Sequence, residues 1–347
     1  MATGGDRRRR VPGVAGRSPP WRAHYHRGVV NEPMISYAQN GEDVVLYRAL
    51  REVTNGCYLD VGANDPVVDS VTKAFYDRGW RGVHVEPIPH WAQRLRTERP
   101  DEIVVEAAVT RDGCGPVTVY DIEGTGLSTM LAQHERRAEH TEKEIQVPAV
   151  SLAQVVAEHL SGRDVHFLKV DVEGVEADVL ASADFAEFRP WVCVVEATAP
   201  NSTRQVHEAW EPGLLAHGYR FCLFDGLSRF YVSEEKAGEL QPLLSYPACP
   251  QDDYQDHRLV QAQHSAREQQ ERAERAEAEV HQLRDQLRHW RDSVLVHWAD
   301  AAAGTGGSAG ASEAEVAALR EAVNSFEQTV SWRVTKPLRA VRSRMPR

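Results

Sequence analysis

From Ile35 to about Val232 the chain alternates apolar bursts of strand length with amphipathic stretches of helix length, the pattern of a parallel α/β sheet. The spacing predicts strands over residues 56–61, 82–86, 103–109, 117–121, 166–171, 191–197, 219–224 and 230–232. Several are apolar at successive positions, as strands covered by helices on both faces are. Helices are predicted over residues 43–51, 70–78, 87–98, 151–159, 175–182 and 203–217. The last two strands, joined around Asp225-Gly226, read as an antiparallel pair at the sheet edge. The expected fold is α/β: a doubly wound, mostly parallel sheet with an antiparallel edge pair.

After about Pro250 the composition shifts to Ala, Glu, Gln and Arg, and the periodicity changes. Leu259, Ala262, Ala266, Gln269, Ala273, Ala276, Val280, Leu283, Leu287, Trp290 and Val294 follow alternating spacings of three and four, a coiled-coil heptad. Self-association into a homo-oligomer is its natural use. A Gly/Ala/Ser linker follows at 301–312, then a helix with Val316, Leu319, Val323, Phe326 and Val330 on one stripe, and a basic end. The expected organisation is therefore a disordered, arginine-rich leader at 1–33, an α/β domain at 34–250, a coiled-coil helix at 251–300, the linker, and a helix with basic tail at 313–347. Met34 stands where the patterned sequence begins and is a candidate start.

Charge and cysteine usage narrow the function classes. With 51 acidic against 40 basic residues and a formal net charge of -11, the chain is a poor match for a nucleic-acid backbone. The five cysteines are odd in number and include no C-x-x-C pair, so neither a disulfide framework nor a cysteine zinc site is expected. They fit a reducing, cytoplasmic compartment. No run of about 18 apolar residues is present that could span a bilayer. The basic tail, with Trp332, Val334 and Leu338, suits peripheral contact with an anionic membrane or an ordinary helix end.

In doubly wound sheets ligands bind beyond the carboxyl ends of the strands, so those residues are the candidates for chemistry. Asp60-Val61-Gly62-Ala63-Asn64-Asp65 ends the first predicted strand, and Glu86 ends the second, where an acidic group takes ribose hydroxyls. A dinucleotide pyrophosphate needs G-x-G-x-x-G, whereas this loop has one glycine and then Ala63, Asn64, Asp65 and Pro66. It suits an amino-acid-bearing sulfonium nucleoside better than two phosphates. Asp171 and Glu196 end two later strands. In one crevice they would hold a divalent cation such as Mg2+ or supply a general base. The competing reading pairs Asp171 with Lys169 and makes Glu196 a helix cap. His134 is the nearest other base and lies in a charged, solvated run; residues 125–129 form a hydroxyl-rich loop, read either as surface or as a substrate lid.

Four motifs in order, Ile35-Ser36-Tyr37-Ala38-Gln39-Asn40-Gly41-Glu42-Asp43, the 60–64 loop, Val85-Glu86-Pro87 and Lys169-Val170-Asp171-Val172-Glu173-Gly174-Val175-Glu176, resemble the FkbM family of methyltransferases. The resemblance runs from about Met34 to Glu234. It implies a Rossmann-like domain that uses S-adenosylmethionine to methylate oxygen, often on sugars of glycans or secondary metabolites. Carried over by residue, it implies that Asp60, Gly62 and Asn64 surround the methionine moiety and Glu86 the ribose. Gln39 and Glu42 would close over the cofactor; alternatively they cap the first helix. Where many members have a glycine soon after the asparagine, this chain has Asp65-Pro66. Ser331-Trp332-Arg333-Val334-Thr335-Lys336-Pro337-Leu338-Arg339 is similar to a tail on bacterial enzymes of surface-polysaccharide pathways, which agrees with a sugar acceptor. The alternative from another class is a catalytically inactive scaffold assembled through the coiled coil; a nicotinamide dehydrogenase stands third.

Overall fold

The computed structural model describes residues 33–122, 128–129, 142–200, 202–303, 317–318 and 321. The leader through residue 32, loop residues 125–127, His134, residues 304–312 of the predicted linker, most of the second C-terminal helix and the basic tail lie outside the described residues.

Strand β1 (Met34–Ser36) and helix α1 (Glu42–Leu50) lead into β2 (Cys57–Val61), α2 (Lys73–Tyr76), β3 (Arg81–Val85) and α3 (Pro89–Glu98). Next come β4 (Ile103–Val105), β5 (Ala108–Val109), β6 (Pro116–Ile122), β7 (Ser128–Thr129), β8 (Glu142–Val150) and α4 (Leu152–His159). The chain continues through β9 (Phe167–Val170), α5 (Glu176–Ala181), β10 (Val192–Glu196), α6 (Glu211–Ala216), β11 (Tyr219–Phe224) and β12 (Ser228–Ser233). Helix α7 (Glu234–Leu244), β13 (Tyr254–Asp256) and the long α8 (His257–Ala303) complete it. The chain forms two units, 1–263 and 264–347, and both larger sheets lie in the first.

The apolar runs pair into one seven-stranded sheet in the order β11-β12-β10-β9-β2-β3-β4. Its five strands from β10 to β4 run parallel, and β12 is antiparallel to both β10 and β11, the expected edge pair. From β2 the chain builds outward through β3 and β4, then returns to add β9 on the other side. The topological switch point therefore falls between β2 and β9, where a doubly wound sheet opens its ligand crevice.

Alternate residues of each strand enter two cores. Leu59, Val83, Val85, Leu168, Val170, Cys193 and Val195 face helices α4 and α5. Tyr58, Phe167, Val192, Val194 and Phe230 pack on the opposite face against Val45, Leu46 and Leu50 of α1 and Leu240 and Leu244 of α7. Helix α4 starts where Ser151 and Gln154 exchange side-chain and backbone hydrogen bonds as a capping box.

Some expected elements change. The predicted strand over 103–109 breaks after Val105. Its first half closes the large sheet and its second half pairs with β8 in a separate four-stranded sheet ordered β5-β8-β6-β7. The predicted helix over 203–217 begins only at Glu211, because Gln205 bridges Thr198 and Pro212 favours the first helical turn. The helix over 70–78 shrinks to one turn. Strand β8 and helix α7 were not expected. Helix α8 forms and continues through Ala303. Among the described residues no helix is long and apolar enough to cross a membrane.

Phe167 is fully buried at the centre of the α1 face, with its ring centroid 5.2 Å from Tyr58 and 4.9 Å from Phe75. Phe167→Ala should lower unfolding free energy by roughly 3–5 kcal/mol. Urea denaturation measures this, and a loss under about 1 kcal/mol would contradict the packing described.

Candidate active site

Strand register decides which polar residues meet. Asp60 on β2 lies opposite His84 on β3 and Lys169 on β9, and Lys169 lies opposite Val194 on β10. Glu196 is two residues beyond Val194, so strand alternation sends it to the same face. That face is the one covered by α1.

The row is a chain of buried charges. Glu102 Oε2 lies 2.8 Å from His84 Nε2, His84 Nδ1 lies 3.5 Å from Asp60 Oδ2, and Thr72 donates its hydroxyl to the same Asp60 oxygen at 3.0 Å. Lys169 Nζ lies 3.9 Å from Asp60 Oδ1 and 3.2 Å from Asp171 Oδ2. Burial alone would push the Asp60 carboxyl up, but Lys169 and then His84 outweigh it and hold it at about 2. Burial opposes charge on Lys169 as well, yet Asp171 and then Asp60 keep it well above the usual lysine range. Asp60 Oδ1 is buried and has no hydrogen-bond partner. The Asp171–Lys169 pair left open by the sequence is thus present, and it is one link of a longer network.

The loops after β2 and β9 touch at Gly62. Its φ is +79°, and a Cβ there would stand 1.8 Å from the carbonyl oxygen of Asp171. Only glycine satisfies both conditions. Asn64 also adopts a left-handed φ, at 51°. Its N–H donates to Glu86 Oε2 at 2.7 Å, and Ile88 N–H donates to Oε1 at 2.8 Å. Glu86 thus braces two loops, and burial pushes its carboxyl up to about 7.

The Asp65-Pro66 departure has its own construction. Asp65 Oδ1 accepts the N–H groups of Val67 and Val68 at 2.8 and 3.0 Å, closing a turn through the side chain. The Pro66 carbonyl accepts from buried Arg99, which also donates to Ser70 and Thr72 at 2.8 Å each. Sequence reasoning missed Arg99 and His84, since neither lies in a motif; a histidine and an arginine beside apolar strands were the available signal.

Asp171, Glu173 and Glu196 bring one carboxylate oxygen each within 4.8 Å of one another. Glu196 is buried, and its Oε2 meets no hydrogen-bond donor among the described residues. Burial, then repulsion from Asp171 and Glu173, pushes its carboxyl far up; burial and Asp171 push Glu173 up too. Glu173 belongs to a quoted motif yet was not singled out. Its φ is 54°, in the left-handed region.

Gln39 is exposed. Glu42 is buried and accepts the Asn40 N–H at 2.9 Å, the local role at the start of α1, while Ser228 Oγ lies 3.5 Å away. Asn40 Nδ2 donates to the Asp225 carbonyl at 3.0 Å, so this segment meets the β11–β12 turn. Asp43, not singled out from sequence, accepts from Ser36 Oγ and Tyr37 N–H, both at 2.7 Å, and fixes the segment's path.

A doubly wound sheet with an acid-lined crevice at its switch point, and a first loop with one glycine, defines the Rossmann-like fold class. Residues 60–221 match the family described as the methyltransferase FkbM domain. Among solved structures it is similar to methyltransferase FkbM from Methylobacillus flagellatus KT, with TM-score 0.33 and 14% identity over 52% of this chain and 43% of that one. The chain thus spans less than half of that protein's length. It is also similar to a TehB-like SAM-dependent methyltransferase from Corynebacterium glutamicum, with TM-score 0.32 and 10% identity over 56% of this chain and 88% of the other. No curated protein matches significantly.

Burial, then repulsion from Asp225, raises the Glu42 carboxyl from 4.5 to about 8. A folded-state value above the unfolded one gives a contribution that is full below the unfolded pKa and lost as pH rises through the folded one. Wild type should therefore lose stability relative to Glu42→Gln, by roughly 2–4 kcal/mol between about pH 5 and about pH 9. Urea unfolding at both pH values measures it, and a pH-independent difference would contradict the buried site.

Proposed function

We propose that the chain is an S-adenosylmethionine-dependent O-methyltransferase acting on a sugar hydroxyl of a glycan, polysaccharide precursor or glycosylated metabolite. The observation that carries this reading is the contact of the β2 loop with the β9 loop at Gly62 and Asp171, which sets a donor-holding loop against an acid-lined crevice. S-adenosylmethionine, when bound, supplies an electrophilic methyl group. The residues present fit it: Asp60 offers a buried oxygen without a hydrogen-bond partner, and the loop lacks the extra glycines a pyrophosphate needs.

Asp60, Gly62 and Asn64 hold the methionine moiety in this reading. Glu86 takes the ribose hydroxyls with lone pairs beyond the two its N–H partners use. Gln39 and Glu42 lie at the same carboxyl edge, toward the β11–β12 turn. Methyl transfer is an in-line displacement, so the protein must align the acceptor oxygen and exclude water. A sugar hydroxyl is a weak nucleophile while protonated, and Asp171 and Glu196 are the groups placed to activate it. Lys169 holds Asp171 at the crevice.

Isothermal titration with S-adenosylmethionine tests the reading, with the nicotinamide dinucleotide as control. Saturable heat with the first and none with the second is expected; no heat with S-adenosylmethionine would leave an inactive scaffold. Asp171→Asn should bind the donor within about threefold of wild type yet lose roughly 10²–10⁴-fold in transfer of tritiated methyl to a sugar panel. Unchanged transfer would remove Asp171 from the chemistry.

Helix α8 supports self-assembly. Leu259, Val280, Leu287, Trp290 and Val294 on its heptad stripe are exposed, and a lone helix gains little stability in water without a partner. A second copy of the same stripe is the partner this reading assigns, in a cytoplasmic enzyme with no nucleic-acid partner. Sedimentation equilibrium of the full chain should give an oligomer that Leu287→Glu shifts toward monomer. A monomeric wild type would rule the coiled coil out.

A further inference from the structure

We propose that Asp171, Glu173 and Glu196 form a binding site for one divalent, oxygen-seeking cation of the Mg2+ or Mn2+ class. The proposal deepens the methyltransferase reading, on which the cation's role rests, although its binding does not. Two independent observations carry it. The three side chains, from the β9 end, the following loop and the β10 end, each bring one oxygen within 4.8 Å of the others. Glu196, 8% exposed, also presents Oε2 with no hydrogen-bond donor to accept from among the described residues and only the Asp171 carboxylate beside it, an arrangement that costs stability unless a proton or a cation sits between them.

Size and chemistry suit the ion. Cation–oxygen bonds of about 2.1 Å place opposite ligands about 4.2 Å apart, so small side-chain rotations close the present spacing. The cluster contains carboxylates and neither cysteine nor histidine, which selects hard cations over zinc or copper. Lys169, the cation against Asp171, is shared with Asp60. A cation here would stand on the acceptor side of the Gly62 contact and lower the pKa of a hydroxyl that binds it.

The test is a Mn2+ titration of the full chain followed by electron paramagnetic resonance, with S-adenosylhomocysteine binding measured calorimetrically on the same preparation. One Mn2+ per chain is expected, displaced by Mg2+. Glu196→Gln and Glu173→Gln should each weaken it at least about tenfold, with wild-type circular dichroism confirming their folding. Absence of stoichiometric Mn2+, or equal affinity in wild type and both folded variants, overturns the site. S-adenosylhomocysteine bound without Mn2+ sinks the cation and leaves the methyltransferase reading; Mn2+ bound as expected without S-adenosylhomocysteine supports the cation and removes the donor reading.

Discussion

A buried ammonium sets the geometry of the crevice. Lys169 sits on a central strand, almost without solvent, and keeps its charge because Asp60 stands on one side and Asp171 on the other. Removing both carboxylates would strand a charge in the interior, and breaking a buried pair costs about 3–5 kcal/mol in general. The two acids belong to adjacent strands, so one cation fixes the end of β2 relative to the end of β9. Gly62 then has to pass beneath the Asp171 carbonyl, with no room for a side chain. The site's basic shape thus follows from one electrostatic demand and one steric one.

The rest of the β2 loop is braced in the same way, by polar groups satisfied inside the protein. Glu86 holds two backbone N–H groups, Asp65 closes its own turn, and Arg99 grips the Pro66 carbonyl from the end of α3. Behind them Glu102 and His84 extend the charged row to the far side of the sheet. Such a loop is ordered before any ligand arrives, which spares the binding step the entropy of ordering it. The acid trio is different in kind. Its buried oxygen without a partner and its mutual repulsion are unfavourable on their own, the mark of a group kept for function rather than stability.

The strands that carry the site were legible because they are apolar on successive residues and end in acids: the ends of β2, β3, β9 and β10 fell where the pattern put them. Strand β8 was not, because Glu142-Lys143-Glu144-Ile145-Gln146-Val147 spreads few apolar residues among charges, and pairing with β6 rather than composition makes it a strand. The single strand expected over 103–109 hid a sheet change, since both halves are apolar and only tertiary pairing separates them. Within the site, Asp60 and Asp171 were visible as strand ends, whereas the link between them through Lys169 depends on register across two strands. Arg99 and His84 escaped for the same reason: their partners lie far from them in sequence.

The central claim is that the β2 loop and Glu86 hold the methyl donor beside the crevice of Asp171 and Glu196. Ultraviolet cross-linking of methyl-tritiated S-adenosylmethionine, followed by peptide mapping, tests it most directly. Label confined to peptides containing Asp60–Asn64, Glu86 or the Asp171 loop is the predicted result, and it should be displaced by unlabelled S-adenosylhomocysteine. Displaceable label on other strands, or no label at saturating donor, would contradict the account.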